Sequence, residues 1–209
     1  MRRLIACLLT LAFCLAVTGL AEEYDYEIIL DVSSDGFRLC AMRDYSGDDE
    51  VLRVGCLDAD QREVWSQTFK IPGLLGYGTD AFIGGTPDSP RLMLYVIDKG
   101  LASCDPYTGD VLWKISPAKL GLGESISHAV AKDGTMIIGG WFSSVLVAIS
   151  ADGRLLWQTT PNSDDIYWMG EIKLDDKGIL AHYEHIAKDE SSGWVRYSWD
   201  GQQLSVKKE

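Results

Sequence analysis

The chain has 209 residues, 46% hydrophobic and 24% charged, a balance that supports a packed core and excludes a polar disordered chain. Lys and Arg number 19 against 31 Asp and Glu, for a formal charge of -12. A polyphosphate would meet repulsion instead of releasing counterions, which excludes nucleic acid and makes anionic membrane surfaces poor partners.

Residues 1–21, "MRRLIACLLTLAFCLAVTGLA", place Arg2 and Arg3 before an apolar run, with Gly19 and Ala21 at the −3 and −1 positions of a cleavage site. That order reads as a secretory signal, so the chain is expected to be exported and to keep no membrane span once cleaved; an uncleaved anchor, with an apolar run of about 18 residues, is the alternative. In "LIAC" the apolar stretch follows Cys7 instead of preceding it, so the segment is no lipoprotein box. Cleavage removes Cys7 and Cys14 and leaves Cys40, Cys56 and Cys104, which cannot all pair in one chain. Cys40 and Cys56 fall on two strands that a hairpin makes neighbours; a bridge and two buried thiols both remain open.

Four similar units follow, at about 24–70, 79–117, 125–160 and 167–208. Their closing segments fall into register as "GCLDADQREVWSQTF", "SCDPYTGDVLWKI", "VAISADGRLLWQTT" and "RYSWDGQQLSVKK". Trp65, Trp113, Trp157 and Ser205 share one column, 48, 44 and 48 residues apart. Upstream lie "VSSDGFRLCAM", "TPDSPRLMLYV", "AVAKDGTMIIGG" and "KLDDKGILAHY", also in register. Within each unit, short β-branched runs alternate with Asp-Gly and Ser-Ser turns, and no segment holds a helical period. In the third unit the strands read SISHAVA, TMIIGGW, VLVAIS and RLLWQTT. "IPGLLGYGTD", "SPAKLGLGES" and "TPNSDDIYWMG" join successive units.

Meanders of about 45 residues repeated around an axis predict an all-β, propeller-like array of four four-stranded antiparallel blades, with residues 22–209 as a single domain. Such a chain can close as a four-bladed ring, form half of a larger ring completed by a homodimer, or stay an open arc. In the second unit Asp105 can accept backbone hydrogen bonds across its turn, and Gly109 takes positive φ, as Gly153 and Gly201 do in later units. Trp65, Trp113 and Trp157 then leave their strands as rings able to wedge against the next blade.

"SCDPYTGDVLW" resembles the tryptophan-docking motif of quinoprotein-type propellers, which bind pyrroloquinoline quinone, with Ser103 where that family prefers Ala. The likeness is strong in the second unit, fair in the third and weak in the first and fourth, where Gln61 replaces the turn glycine and Ser205 the tryptophan. It implies a propeller fold and raises an oxidoreductase as an alternative function. The family's Asp base, Arg and calcium-site motifs have no match here, so no cofactor is expected.

Other candidates carry less chemistry. His182 and His185 in "AHYEHI" point to opposite faces of a strand and make no metal pair. "DYSGDDE" offers four acids without the spacing of a calcium loop and reads as a solvated hairpin tip. His128 stands alone on a strand. Trp141, Trp168, Trp194 and Trp199 lie outside the docking column and crowd the last third with Tyr167, Tyr183 and Tyr197. They either fill the core between blades or form a contact face, with Trp199, inside the turn "SWDG", the hardest to bury. The expectation is an exported, non-catalytic module that binds a protein or glycan partner.

Overall fold

Apolar runs of four to ten residues, punctuated by Gly, Asp and Ser, form sixteen strands among the described residues. A computed structural model describes residues 28–31, 36–44, 49–72, 78–124, 126–141, 143–162, 168–184 and 192–209. The first sheet holds β1 (Ile28–Asp31), β2 (Arg38–Asp44), β3 (Asp49–Leu57) and β4 (Glu63–Pro72). The second holds β5 (Thr79–Thr86), β6 (Ser89–Val96), β7 (Gly100–Cys104) and β8 (Val111–Ile115). The third holds β9 (Ile126–Val130), β10 (Met136–Gly140), β11 (Leu146–Ile149) and β12 (Leu155–Thr159). The fourth holds β13 (Trp168–Asp175), β14 (Gly178–Glu184), β15 (Ser192–Tyr197) and β16 (Gln203–Lys208). Each sheet is an antiparallel meander in sequence order, as the repeats predict.

Successive residues of a strand point to opposite faces, so a strand between two neighbouring sheets must be apolar throughout. Met136 and Ile138 pack with Phe82, Met93 and Tyr95 of the second sheet. Ile137, between them, packs with Ile179, Tyr183 and Tyr197 of the fourth. A third core joins Leu39, Val54 and Cys56 to Leu92, Leu94 and Cys104. Each core is thus shared by two consecutive sheets; among the described residues none joins the fourth sheet to the first.

The sheets are also tied at their outer turns. Trp65 Nε1 donates to the Pro106 carbonyl at 3.1 Å, Trp113 Nε1 to Ala151 at 3.2 Å, and Trp157 Nε1 to Trp199 at 2.9 Å. Each ring lies over a glycine of the next sheet, where a Cβ would come within 2.9 Å (Gly109), 2.5 Å (Gly153) or 2.7 Å (Gly201) of the indole. These glycines have φ of 75°, 83° and 83°, so both the turn and the ring demand them. Asp105 Oδ1 accepts the N–H groups of Tyr107 and Thr108 at 2.8 and 3.0 Å and holds the second sheet's turn.

One feature differs from the sequence reading, and one that it left open is decided. "SPAKLGLGES" contains a short helix, α1 (Pro117–Leu120), with Pro at its first turn and Gly121 closing it at φ 62° by donating to the Pro117 carbonyl at 3.0 Å. The disulfide between Cys40 and Cys56 is ruled out: Cys40 pairs with Gly55 and Leu39 with Cys56, so the two thiols stand on opposite faces of the sheet. None of the three described cysteines is in a disulfide, and burial pushes the Cys56 and Cys104 thiols up. The signal segment lies outside the described residues. Among those described, no helix is long and apolar enough to cross a membrane.

The ring-on-glycine contact makes a coupled pair. Trp113→Ala should cost about 3 kcal/mol, and Gly153→Ala about 2 to 3 kcal/mol from the clash and its left-handed backbone. With Trp113 already removed, Gly153→Ala should cost only about 1 kcal/mol. Urea unfolding of the double-mutant cycle measures that coupling; strict additivity would mean the ring does not rest on this glycine.

Candidate functional site: the groove beside Trp199

The turn Ser198–Gly201 is held at both ends. Ser198 N–H donates to the Gln202 carbonyl at 2.9 Å, Gly201 N–H donates back to Ser198 at 3.1 Å, and the Ser198 hydroxyl bonds Asp200. Trp157 occupies the Trp199 carbonyl from the preceding sheet. The turn backbone is therefore fixed while the Trp199 side chain stays 46% exposed. Single exposed apolar side chains are ordinary, and several stand elsewhere on this surface; what marks Trp199 is that it borders a groove.

Trp199 borders a groove of about 480 Å³ between the third and fourth sheets. The β9–β10 turn supplies Lys132 and Asp133, and the β13–β14 turn supplies Asp175 and Asp176. Arg196 clamps Asp175 with two bonds of 2.8 Å, and Lys177 N–H adds a third at 2.8 Å. Those bonds pull the Asp175 carboxyl down to about 2. Asp133 accepts the Thr135 N–H at 2.9 Å. The matching groove between the second and third sheets has Ala151 at the Trp199 position. That groove is lined instead by the docking ring of Trp113 and by Asp152, so the last groove differs in having an exposed indole on its rim.

The four tryptophans outside the docking column do not converge. Trp141 is half-buried in the β10–β11 turn, on the opposite rim, where Gly123 passes so close that a Cβ would lie 1.9 Å from the Trp141 carbonyl. Trp168 opens β13 beside Glu184, at that same opposite rim. Trp194 lies on the outer face of the fourth sheet. Its Nε1 donates to Glu209 at 2.9 Å, Lys173 Nζ stands 4.6 Å from its ring, and His182 meets it edge-on at 5.0 Å. Tyr183 and Tyr197 are core residues, and burial pushes the Tyr197 phenol up. Tyr167 and His185 lie outside the described residues.

The acidic tip "DYSGDDE" needs correction at its last residue. Residues 45–48 lie outside the described part, but Glu50 is fully buried, not solvated. Its carboxyl accepts the Gly78 N–H at 2.8 Å and the Thr79 hydroxyl, clamping the first sheet to the start of the second. Sequence gave no sign of this, because Thr79 is 29 residues away. For Asp133, Asp175 and Asp176 the one signal in the sequence is their recurrence at equivalent turns. Among the described residues no three His, Cys, Asp or Glu side chains group as a metal site.

His128 lies on β9 and stacks flat on Phe82 of the second sheet, with centroids 3.9 Å apart. One side of the residue is open to water, which moderates the penalty of charging it. Crowding by the protein still lowers its pKa from 6.5 to about 4.

No family model and no curated protein matches the chain. Among solved structures it is similar to a protein of unknown function from Bacteroides caccae, at 13% identity, TM-score 0.45, 90% of this chain and 62% of that one. It is also similar to a candidate 6-phosphogluconolactonase from Bacteroides fragilis, at 14% identity, TM-score 0.48, 87% of this chain and 66% of that one. A member of the DUF4221 family from Bacteroides vulgatus follows at 12% identity, TM-score 0.46, 90% of this chain and 83% of that one. The chain spans less than two thirds of the first two. Likeness at this level attaches no activity to it.

Glu50→Ala should cost about 3 kcal/mol in urea unfolding, since it removes the buried acceptor that the Thr79 hydroxyl and the Gly78 N–H share; Glu50→Gln, which keeps an acceptor, should cost less than half of that. For His128 the folded pKa lies below the unfolded one, so protonation favours unfolding. Its contribution is intact above about pH 6.5 and is lost as pH falls toward about pH 4. Melting curves across that window should show a shallower acid decline for His128→Asn than for wild type.

Proposed function

We propose that the protein is an exported, non-catalytic propeller-type module that binds a glycan or protein partner through the groove beside Trp199. The observation that carries this is the exposed indole on a turn whose backbone is already fixed from both sides. A rigid aromatic anchor loses little entropy on binding. The neighbouring Asp133, Asp175 and Asp176 favour a glycan: sugar C–H faces stack on an indole while carboxylates accept the hydroxyls. Export rests on the Arg–apolar–small-residue order of residues 1–21.

The indole-over-glycine geometry supports grouping these repeats with the quinoprotein-type propellers. It does not carry the oxidoreductase reading, because that motif is turn and packing chemistry with no reacting group.

The test is retention of the purified protein on immobilised glycans and on extracts of the source cell surface. Wild type should be retained, and Trp199→Ala should lose at least about tenfold in affinity, the equivalent of roughly 1.4 kcal/mol, with an unchanged melting curve. Equal retention of the two proteins, or retention of neither, would sink the proposal.

A further inference from the structure

One face of each inner sheet is built to receive the next. On the third sheet the register aligns Ala129, Ile137, Ala148 and Trp157 across that face, with Leu146 beside them. On the fourth sheet the same columns hold Lys173, Leu180, Arg196 and Ser205, with Trp194 at the Leu146 position. Two cations and a hydroxyl thus stand where the third sheet has two alanines and its docking tryptophan. In place of that indole there is an open groove of about 460 Å³, to which Lys207 adds a third cation.

The other end lacks the other half of the contact. Gln61, at φ 64°, stands in the first sheet's turn where later sheets have Gly109, Gly153 and Gly201. A side chain there occupies the space an incoming indole would need. The outward face of the same sheet carries Arg53, 44% exposed and paired with Glu63 at 2.6 Å.

We propose that Gln61, Arg196 and Ser205 terminate the array, so that a second copy of this chain cannot stack sheet on sheet at either end. The two-half-ring homodimer is thereby excluded. Docking one copy's first sheet on another's fourth would strip water from the Arg53–Glu63, Lys173–Glu171 and Arg196–Asp175 pairs and from Lys207, with no docking indole at the Ser205 position to seat in return. Such head-to-tail contacts either close into rings or grow into fibres, and polar end faces prevent both.

Light scattering of the full-length protein from micromolar to millimolar concentration tests this, with the variant Gln61→Gly/Arg196→Ala/Ser205→Trp beside it. Wild type should keep the monomer mass throughout, and the variant should form concentration-dependent dimers or longer species. Gln61→Gly/Ser205→Trp, which keeps the native charges, serves if the triple variant does not fold. A wild-type dimer that Leu180→Glu splits would overturn the proposal, as would a folded restoring variant that stays monomeric. A wild-type dimer unaffected by Leu180→Glu would equally contradict the expected monomer mass.

Discussion

The structure depends on one contact repeated three times: an indole of one blade lying on a left-handed glycine of the next, with its N–H on the adjoining carbonyl. A flat sheet has no intrinsic way to fix its angle to a neighbouring sheet, since apolar faces slide. The indole supplies that angle because it is both a ring that needs a bare Cα beneath it and a donor that needs one particular carbonyl. Alignment at the outer turns then sets how the inner strands meet, and the three shared cores follow from that alignment. The Glu50 clamp adds a polar tie near the inner strands, between the first and second blades alone.

Shared cores explain the composition of the middle strands. Residues 136–140 read MIIGG and are buried throughout, because alternate side chains serve two different interfaces. The outer strands β8 and β12 are mostly exposed even where apolar, as at Val111, Leu112, Leu155 and Leu156. Stability in such an array comes from sheet-to-sheet interfaces more than from any central core, so losing one interface should be felt mainly by the two blades that share it.

Much of the fold was legible because it repeats. Trp65, Trp113 and Trp157 in one column and the Asp-Gly turns upstream are local signals, and a fourfold copy raises each above chance. α1 was missed because four residues give no periodicity; Ser-Pro before it and Gly121 after it were the only traces. The choice between thiols and a disulfide needed the register: Cys40 and Cys56 are on adjacent strands, and only the pairing of Leu39 with Cys56 shows that they face apart. Glu50 was misread for the opposite reason, since its surroundings in sequence are polar and its partners are remote. Of the candidate site, Trp199 was visible as an aromatic in a tight turn. The carboxylates beside it were not, because they come from two other turns that only the stacking of blades brings near.

That stacking also explains why the exposed aromatic sits where it does. The turn residue whose carbonyl receives the indole is Pro106 in the second blade, Ala151 in the third and Trp199 in the fourth. The inter-blade bond uses only the backbone of this position, so its side chain is free to vary without loosening the array. The position also lies at a seam, where two inner turns of adjacent blades approach and leave a groove. A residue there can be chosen for what it touches outside the protein, while the bond to its carbonyl supplies the rigidity a binding residue requires. The same hinge that holds the blades together therefore provides a fixed mount for contact residues, and in this chain only the last mount carries an indole.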